Sequence, residues 1–213
     1  MSAWRGLAAA ALAMLGLCLA SGAGAADLQE GRDFRELNPP LAPDKTRIEV
    51  TEFFWYGCPH CFDFEHVLAP WAAKLPADVS FRRVPAIFPN NKWAPGAKIY
   101  YTLEAMNLVE KLHAQVFNAI HVERKRLDDE KVLFAWVASK DVDAKQFSEA
   151  WSSFGVQSRV QQARELTQAA RLSGVPAVVV HGRYEAAMPG TYGELIALVD
   201  QLVVRVRAET GRK

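Results

Sequence analysis

Cysteine is scarce in this chain: its 213 residues hold three, Cys18, Cys58 and Cys61. So few exclude the disulfide framework on which small secreted domains depend, and a chain of this length can bury a full core without one. A zinc site is poorly served as well, since no second cysteine pair exists and His60 or His66 would have to complete the ligand set. An excess of charge of one sign is equally lacking. Lys and Arg number 25 against 24 Asp and Glu, and the densest cluster, Glu123-Arg124-Lys125-Arg126, reads as a solvated helix end, so nothing points to nucleic acid. Internal repeats are absent, and so are low-complexity tracts outside the N-terminus.

Long hydrophobic runs are missing with one exception. Arg5 precedes an unbroken apolar stretch from Leu7 to Ala20, followed by the small residues Ser21-Gly22-Ala23-Gly24-Ala25. This pattern predicts a secretory signal peptide over residues 1–25, cleaved after Ala25. The alternative, a retained anchor, is disfavoured because the run is shorter than the ~20 residues that a membrane span needs. Leu17 before Cys18 does not suit a lipoprotein site, so Cys18 is expected to leave with the signal. The remaining chain then balances its acids and bases and keeps two cysteines. In an oxidising compartment, an isolated Cys-x-x-Cys pair that stability does not require points to redox chemistry.

What is present is organised around that pair. Asp27 to Asp44 is polar and carries Pro39, Pro40 and Pro43, a lead-in with room for one short strand. Ile48 to Tyr56 is β-branched and aromatic on both faces, as a central strand covered on two sides should be. After Cys58 the period changes, with Phe64, Val67, Leu68, Trp71 and Leu75 on one helical face. A helix therefore begins at the thiols, with Pro59 suited to its first turn and Pro70 expected to kink it. Val79 to Val84 reads as the next strand. From Pro85 onward Pro89, Asn90, Asn91 and Pro95 break regular structure, and helical periods follow. Leu108, Leu112, Val116 and Ile120 form one stripe, and further helices are expected over 128–139, 143–153 and 156–173, the last closed by Gly174. Strand signals resume at Val175 to Val180, turn at His181-Gly182 into Arg183 to Ala186, and give way to a final helix from about Gly193 to Glu209. The expected architecture is an α/β fold: residues 26–87 and 163–213 form a mixed central sheet flanked by helices, interrupted by an all-helical insert over 88–162.

Position gives the pair its chemistry. In Cys58-Pro59-His60-Cys61 the first sulfur stands at a helix N-terminus, where unpaired N–H groups and the macrodipole favour an anion by roughly 0.3–2 kcal/mol. His60 can add a positive charge or an N–H donor to the same sulfur, although a histidine on an exposed turn can also be a bystander. A stabilised thiolate favours the reduced form and makes the disulfide a stronger oxidant. Cys61, further into the helix, would resolve a mixed disulfide. A static bridge remains the bland alternative, but closing so short a loop removes little chain entropy. Two other residues stand out. A proline opening a β-branched run, as Pro176 does, belongs at a strand start or edge. Glu52, inside Val50-Thr51-Glu52-Phe53-Phe54, is costly to bury unless paired or protonated.

The run Phe53-Phe54-Trp55-Tyr56-Gly57-Cys58-Pro59-His60-Cys61, together with Val175-Pro176, resembles the DsbA family of thioredoxin-fold disulfide oxidoreductases, and the likeness spans the chain beyond the signal. The resemblance implies a thioredoxin fold with an inserted helical domain and a periplasmic oxidase that donates its Cys58-Cys61 disulfide to folding secreted proteins. DsbA is itself the reference case for a low nucleophile pKa and an oxidising potential, so these are implied rather than worked out from spacing. Pro176 would be a cis-proline facing the disulfide, and the Val175 backbone would pair with an extended substrate. Arg83 would be the partner of Glu52, which would tune or relay protons near Cys61. No cofactor or metal is implied beyond the redox-active disulfide. The implied partners are unfolded proteins with free thiols and a quinone-linked membrane reoxidase of the DsbB type, served by a monomer. Two other readings stay open: a disulfide isomerase or reductase, which usually wants a dimerisation domain and another dipeptide between the cysteines, and a non-catalytic peptide-binding chaperone.

Overall fold

The computed structural model describes residues 28–89 and 91–211; the expected signal peptide lies outside them. Five strands form one sheet in the order β1-β5-β4-β2-β3. Flanked on both sides is β2 (Ile48–Phe54), whose seven residues are all buried. It runs parallel to β3 (Val79–Pro85), with Glu52 opposite Arg83, and antiparallel to β4 (Ala177–Val180), with Phe53 opposite Ala177. The parallel pair is joined by α1 (Pro59–Ala72), a strand-helix-strand unit. β5 (Tyr184–Ala186) pairs with β4 and with β1 (Phe34–Glu36), the single short strand of the lead-in.

Each face of the sheet has its own core. On one side Ile48, Val50, Val178 and Val180 pack with Phe64 and Leu68 of α1 and with Leu195, Val199, Leu202 and Val206 of α7 (Tyr192–Thr210). On the other, Phe53, Ala177 and Val179 meet α2 (Ala94–Ala105), α3 (Val109–His121), α4 (Glu130–Ala138), α5 (Ala144–Ser152) and α6 (Phe154–Ala170). Side chains alternate along β2, so Glu52 follows Ile48 and Val50 on the face beneath α1.

Several boundaries depart from expectation for local reasons. Pro95 looks like a breaker, yet it lies in the first turn of α2, where Pro sits at N1/N2 and loses no helical bond. α6 starts at Phe154 because the Ser153 hydroxyl accepts from the Val156 amide. It ends at Ala170 with Arg171 at φ 50°, so the chain leaves the helix before Gly174. The same helix runs unbroken through residue 162. α7 begins at Tyr192, one residue earlier than its apolar stripe suggests, because Thr191 and Glu194 form a reciprocal capping box.

Candidate active site

The turn from β2 into α1 places both cysteines. The Cys58 N–H donates to the Trp55 carbonyl at 2.9 Å, and Cys58 becomes the N-cap of α1, with Pro59 in the first turn. Its sulfur accepts from the Cys61 amide at 3.4 Å, and the Cys58 thiol lies 3.5 Å from the Val175 carbonyl, to which it donates. Cys61 is wholly buried, while Cys58 keeps 8% of its surface exposed. The two thiols are unbonded. The peptide bond between Val175 and Pro176 is cis, in the segment leading into β4 beside the sulfurs. Sequence positions more than a hundred residues apart are thus brought to a single sulfur.

The environments of the two thiols diverge. Hydrogen bonding from the Cys61 thiol, then from the Cys61 and His60 amides, with the His60 charge adding to it, overcomes burial and lowers the Cys58 pKa to about 6. Burial and the neighbouring Cys58 push the Cys61 thiol far up. The arrangement can therefore hold a thiolate on the outer sulfur and a proton on the inner one.

Behind the pair lies a buried charged chain. Burial is the chief cause that raises the Glu52 pKa to about 8; Arg83 opposes it, and Glu65 adds to it. Glu52 Oε2 and Arg83 Nε are 3.3 Å apart, but among the described residues neither atom makes a hydrogen bond. Arg83 instead donates through Nη2 to Glu65 Oε1 at 2.8 Å. Glu65 Oε2 faces His113 Nε2 at 3.6 Å, and His113 Nδ1 is 2.7 Å from the Tyr56 hydroxyl. Burial opposes ionisation of Glu65, yet His113 and Arg83 together hold its carboxyl below the ordinary range. Sequence reasoning paired Arg83 with Glu52 and missed Glu65, His113 and Tyr56. Only burial of the three together reveals the chain, and no local pattern announces it.

His60 points the other way. It lines a cavity of about 1050 Å³ with Val175, Pro176, Met188, Tyr192 and Phe34, and its Nδ1 lies 3.5 Å from the Tyr192 hydroxyl. Tyr192, the first residue of α7, was another omission. Among the described residues no group of three or more His, Cys, Asp or Glu is placed to hold a metal, and no helix is long and apolar enough to cross a membrane.

A Cys-x-x-Cys pair capping the helix after a central strand, set against a cis-proline strand of the same sheet, defines a thioredoxin-fold protein-disulfide oxidoreductase. Residues 78–194 match the model of the DSBA-like thioredoxin domain. The chain is 42% identical over 205 residues to the thiol:disulfide interchange protein DsbA of Bordetella parapertussis, covering 94% of this chain and 95% of that one. With the same protein of Pseudomonas aeruginosa it shares 38% identity over 185 residues, 85% of this chain and 87% of that one. The crystal structure of Pseudomonas aeruginosa DsbA superposes with a TM-score of 0.82 at 37% identity, covering 87% and 98% of the two chains. That of DsbA from Xylella fastidiosa gives 0.79 at 31% identity, covering 85% and 98%. The chain belongs to the DsbA family, whose members work through a redox-active disulfide without an external cofactor.

Proposed function

We propose that this chain is a periplasmic dithiol oxidase that passes its Cys58-Cys61 disulfide to reduced, folding secreted proteins. A substrate thiolate attacks the Cys58 sulfur; the Cys58-Cys61 bond breaks as a mixed disulfide forms, and the Cys61 sulfur leaves with the bond pair and takes a proton. A second substrate thiolate attacks the substrate sulfur of that mixed disulfide. Cys58 departs as a thiolate, the substrate gains a disulfide, and the enzyme holds two more electrons. The observation carrying this reading is the placement of Cys58: at the α1 N-cap its sulfur is 3.4 Å from the Cys61 amide, which suits a leaving thiolate.

The other residues take roles around that exchange. Glu52, protonated in the neutral range, is the proton source for Cys61, and Arg83 limits how far its pKa rises. His60 and Pro59 shape the first turn, and the cavity along Val175 and Pro176 receives an extended peptide, whose backbone pairs with Val175. Residues 26–87 and 163–213 form the thioredoxin-like unit, and 88–162 are the insert. A quinone-linked membrane partner of the DsbB type then returns the enzyme to its disulfide form.

Oxidative refolding of a reduced, multi-cysteine substrate tests the reading, with Cys58→Ser beside the wild type and the thiolate absorbance titrated in parallel. Wild type should restore substrate activity and Cys58→Ser should not. Equal refolding by the variant, or a Cys58 titration no lower than that of a free thiol, would remove the basis for the proposal.

A further inference from the structure

The segment that leads into Cys58 is gripped from the insert side by residues that the exchange itself does not use. The bond from the Cys58 N–H to the Trp55 carbonyl closes a turn with Tyr56 and Gly57 at its corner. Helix α3 holds that corner through two histidines two helical turns apart. The Tyr56 hydroxyl and His113 Nδ1 are 2.7 Å apart, and His121 Nε2 lies 2.8 Å from the Tyr56 carbonyl.

The partners assign the tautomers. A carbonyl oxygen only accepts, so His121 carries its proton on Nε2. Burial raises the Tyr56 phenol well above its ordinary pKa and lowers that of His113, so Tyr56 keeps its proton and donates to Nδ1 of a neutral imidazole. His113 then holds its own proton on Nε2, facing Glu65. His121 also stacks on Phe62, with ring centroids 5.1 Å apart and planes within 13°, and Phe62 directly follows Cys61. One side chain thus touches the turn before the first cysteine and the helix after the second. The other flank is closed by Trp55, whose indole folds over Gly57 and rests on Trp93 at 4.3 Å.

We propose that His113 and His121 are positioning residues for Cys58: by holding the Tyr56 corner they keep its sulfur under the first-turn amide of α1, and so set how strongly the disulfide oxidises. This rests on the exchange at Cys58 proposed above. The 3.4 Å contact from the Cys61 amide favours a thiolate, whereas the 3.5 Å donation to the Val175 carbonyl is open only to the protonated sulfur; a turn that shifts takes the sulfur off the amide and loses what stabilises the thiolate. The insert therefore acts on the nucleophile through the backbone that delivers it.

Three full-length variants test this by Cys58 thiolate titration, redox equilibration with glutathione and thermal unfolding. His121→Phe keeps the stack on Phe62 and removes the donor, His121→Gln returns an N–H, and Tyr56→Phe removes only the bond to His113. His121→Phe should raise the Cys58 pKa by about one unit and make the disulfide about tenfold less oxidising. His121→Gln should recover most of that change, and Tyr56→Phe should shift both readouts in the same direction. Variants that unfold at lower temperature while titration and equilibrium stay within about twofold of wild type would assign the histidines a purely structural role and overturn the proposal. A wild-type Cys58 that titrates as an ordinary thiol would overturn the exchange reading and this one together; an ordinary result in the variants alone overturns only the clamp.

Discussion

Replacing Glu52 with Gln should stabilise the protein by an amount that grows with pH. Glu52 is 1% exposed, and its pKa rises from 4.5 to about 8 on burial. Between those values the folded chain keeps a proton that the unfolded chain has released, so the folded state binds more protons and stability falls as pH rises. At about 1.4 kcal/mol per unit, the full penalty above the folded pKa is about 5 kcal/mol, and about 3 kcal/mol of it is present at neutral pH. Gln resembles the protonated carboxyl in shape and charge and has no such dependence, while Arg83 retains its 2.8 Å bond to Glu65. Urea unfolding of wild type and Glu52→Gln should therefore coincide below pH 4.5 and diverge through about pH 8. The disulfide form is the one to use, since it leaves no thiolate at Cys58 to add to the penalty. A gain independent of pH, or a variant less stable than wild type under alkaline conditions, would refute the assignment of a buried, proton-holding carboxyl.

Cys61→Ala removes the largest stabiliser of the Cys58 thiolate, so its titration should move up from about 6, whereas Cys61→Ser, which retains a hydroxyl donor, should lie between wild type and Cys61→Ala. Thr191→Ala breaks the capping box of α7 and should cost about 1 kcal/mol in urea unfolding; an unchanged midpoint would show that the cap contributes nothing. Gly57→Ala would place a Cβ 2.4 Å from the Trp55 ring, so the indole must move. A cost of about 1–3 kcal/mol and altered tryptophan fluorescence are expected, and an unperturbed spectrum would contradict the packing.

The parts legible in the sequence are those with local chemical signatures. β2 shows its burial in its β-branched and aromatic residues, Ile48, Val50, Thr51, Phe53 and Phe54, and α1 announces its start by Cys58 as N-cap and Pro59 in the first turn. α2 was hidden because Pro95 is a breaker in a helix interior but not at its start, where the next residue, Gly96, would place a Cβ 3.3 Å from the Trp55 indole. The end of α6 was misplaced because Arg171, not glycine, adopts the left-handed conformation. Within the site, Cys58, His60, Cys61, Val175 and Pro176 carry motif or resemblance signals. Glu65 and His113 carry none, and Tyr56, though inside the motif run, carries no sign of its partner: their association depends on how α1 and α3 pack.

The order of the strands has a consequence for how the molecule comes into being. β2 pairs with β4 through contacts that join residues 50–53 to 177–180, and closing so large a loop is entropically costly and slow compared with forming the helices in between. A growing chain that has emerged only as far as α6 possesses both thiols and the helix that caps them, but it lacks the Val175 carbonyl and the wall formed by β4. The carbonyl contact to Cys58 is thus assembled late, after most of the polypeptide exists. The wall that faces Cys58 is therefore set in place only when the two ends of the sheet, separated by the whole helical insert, come together.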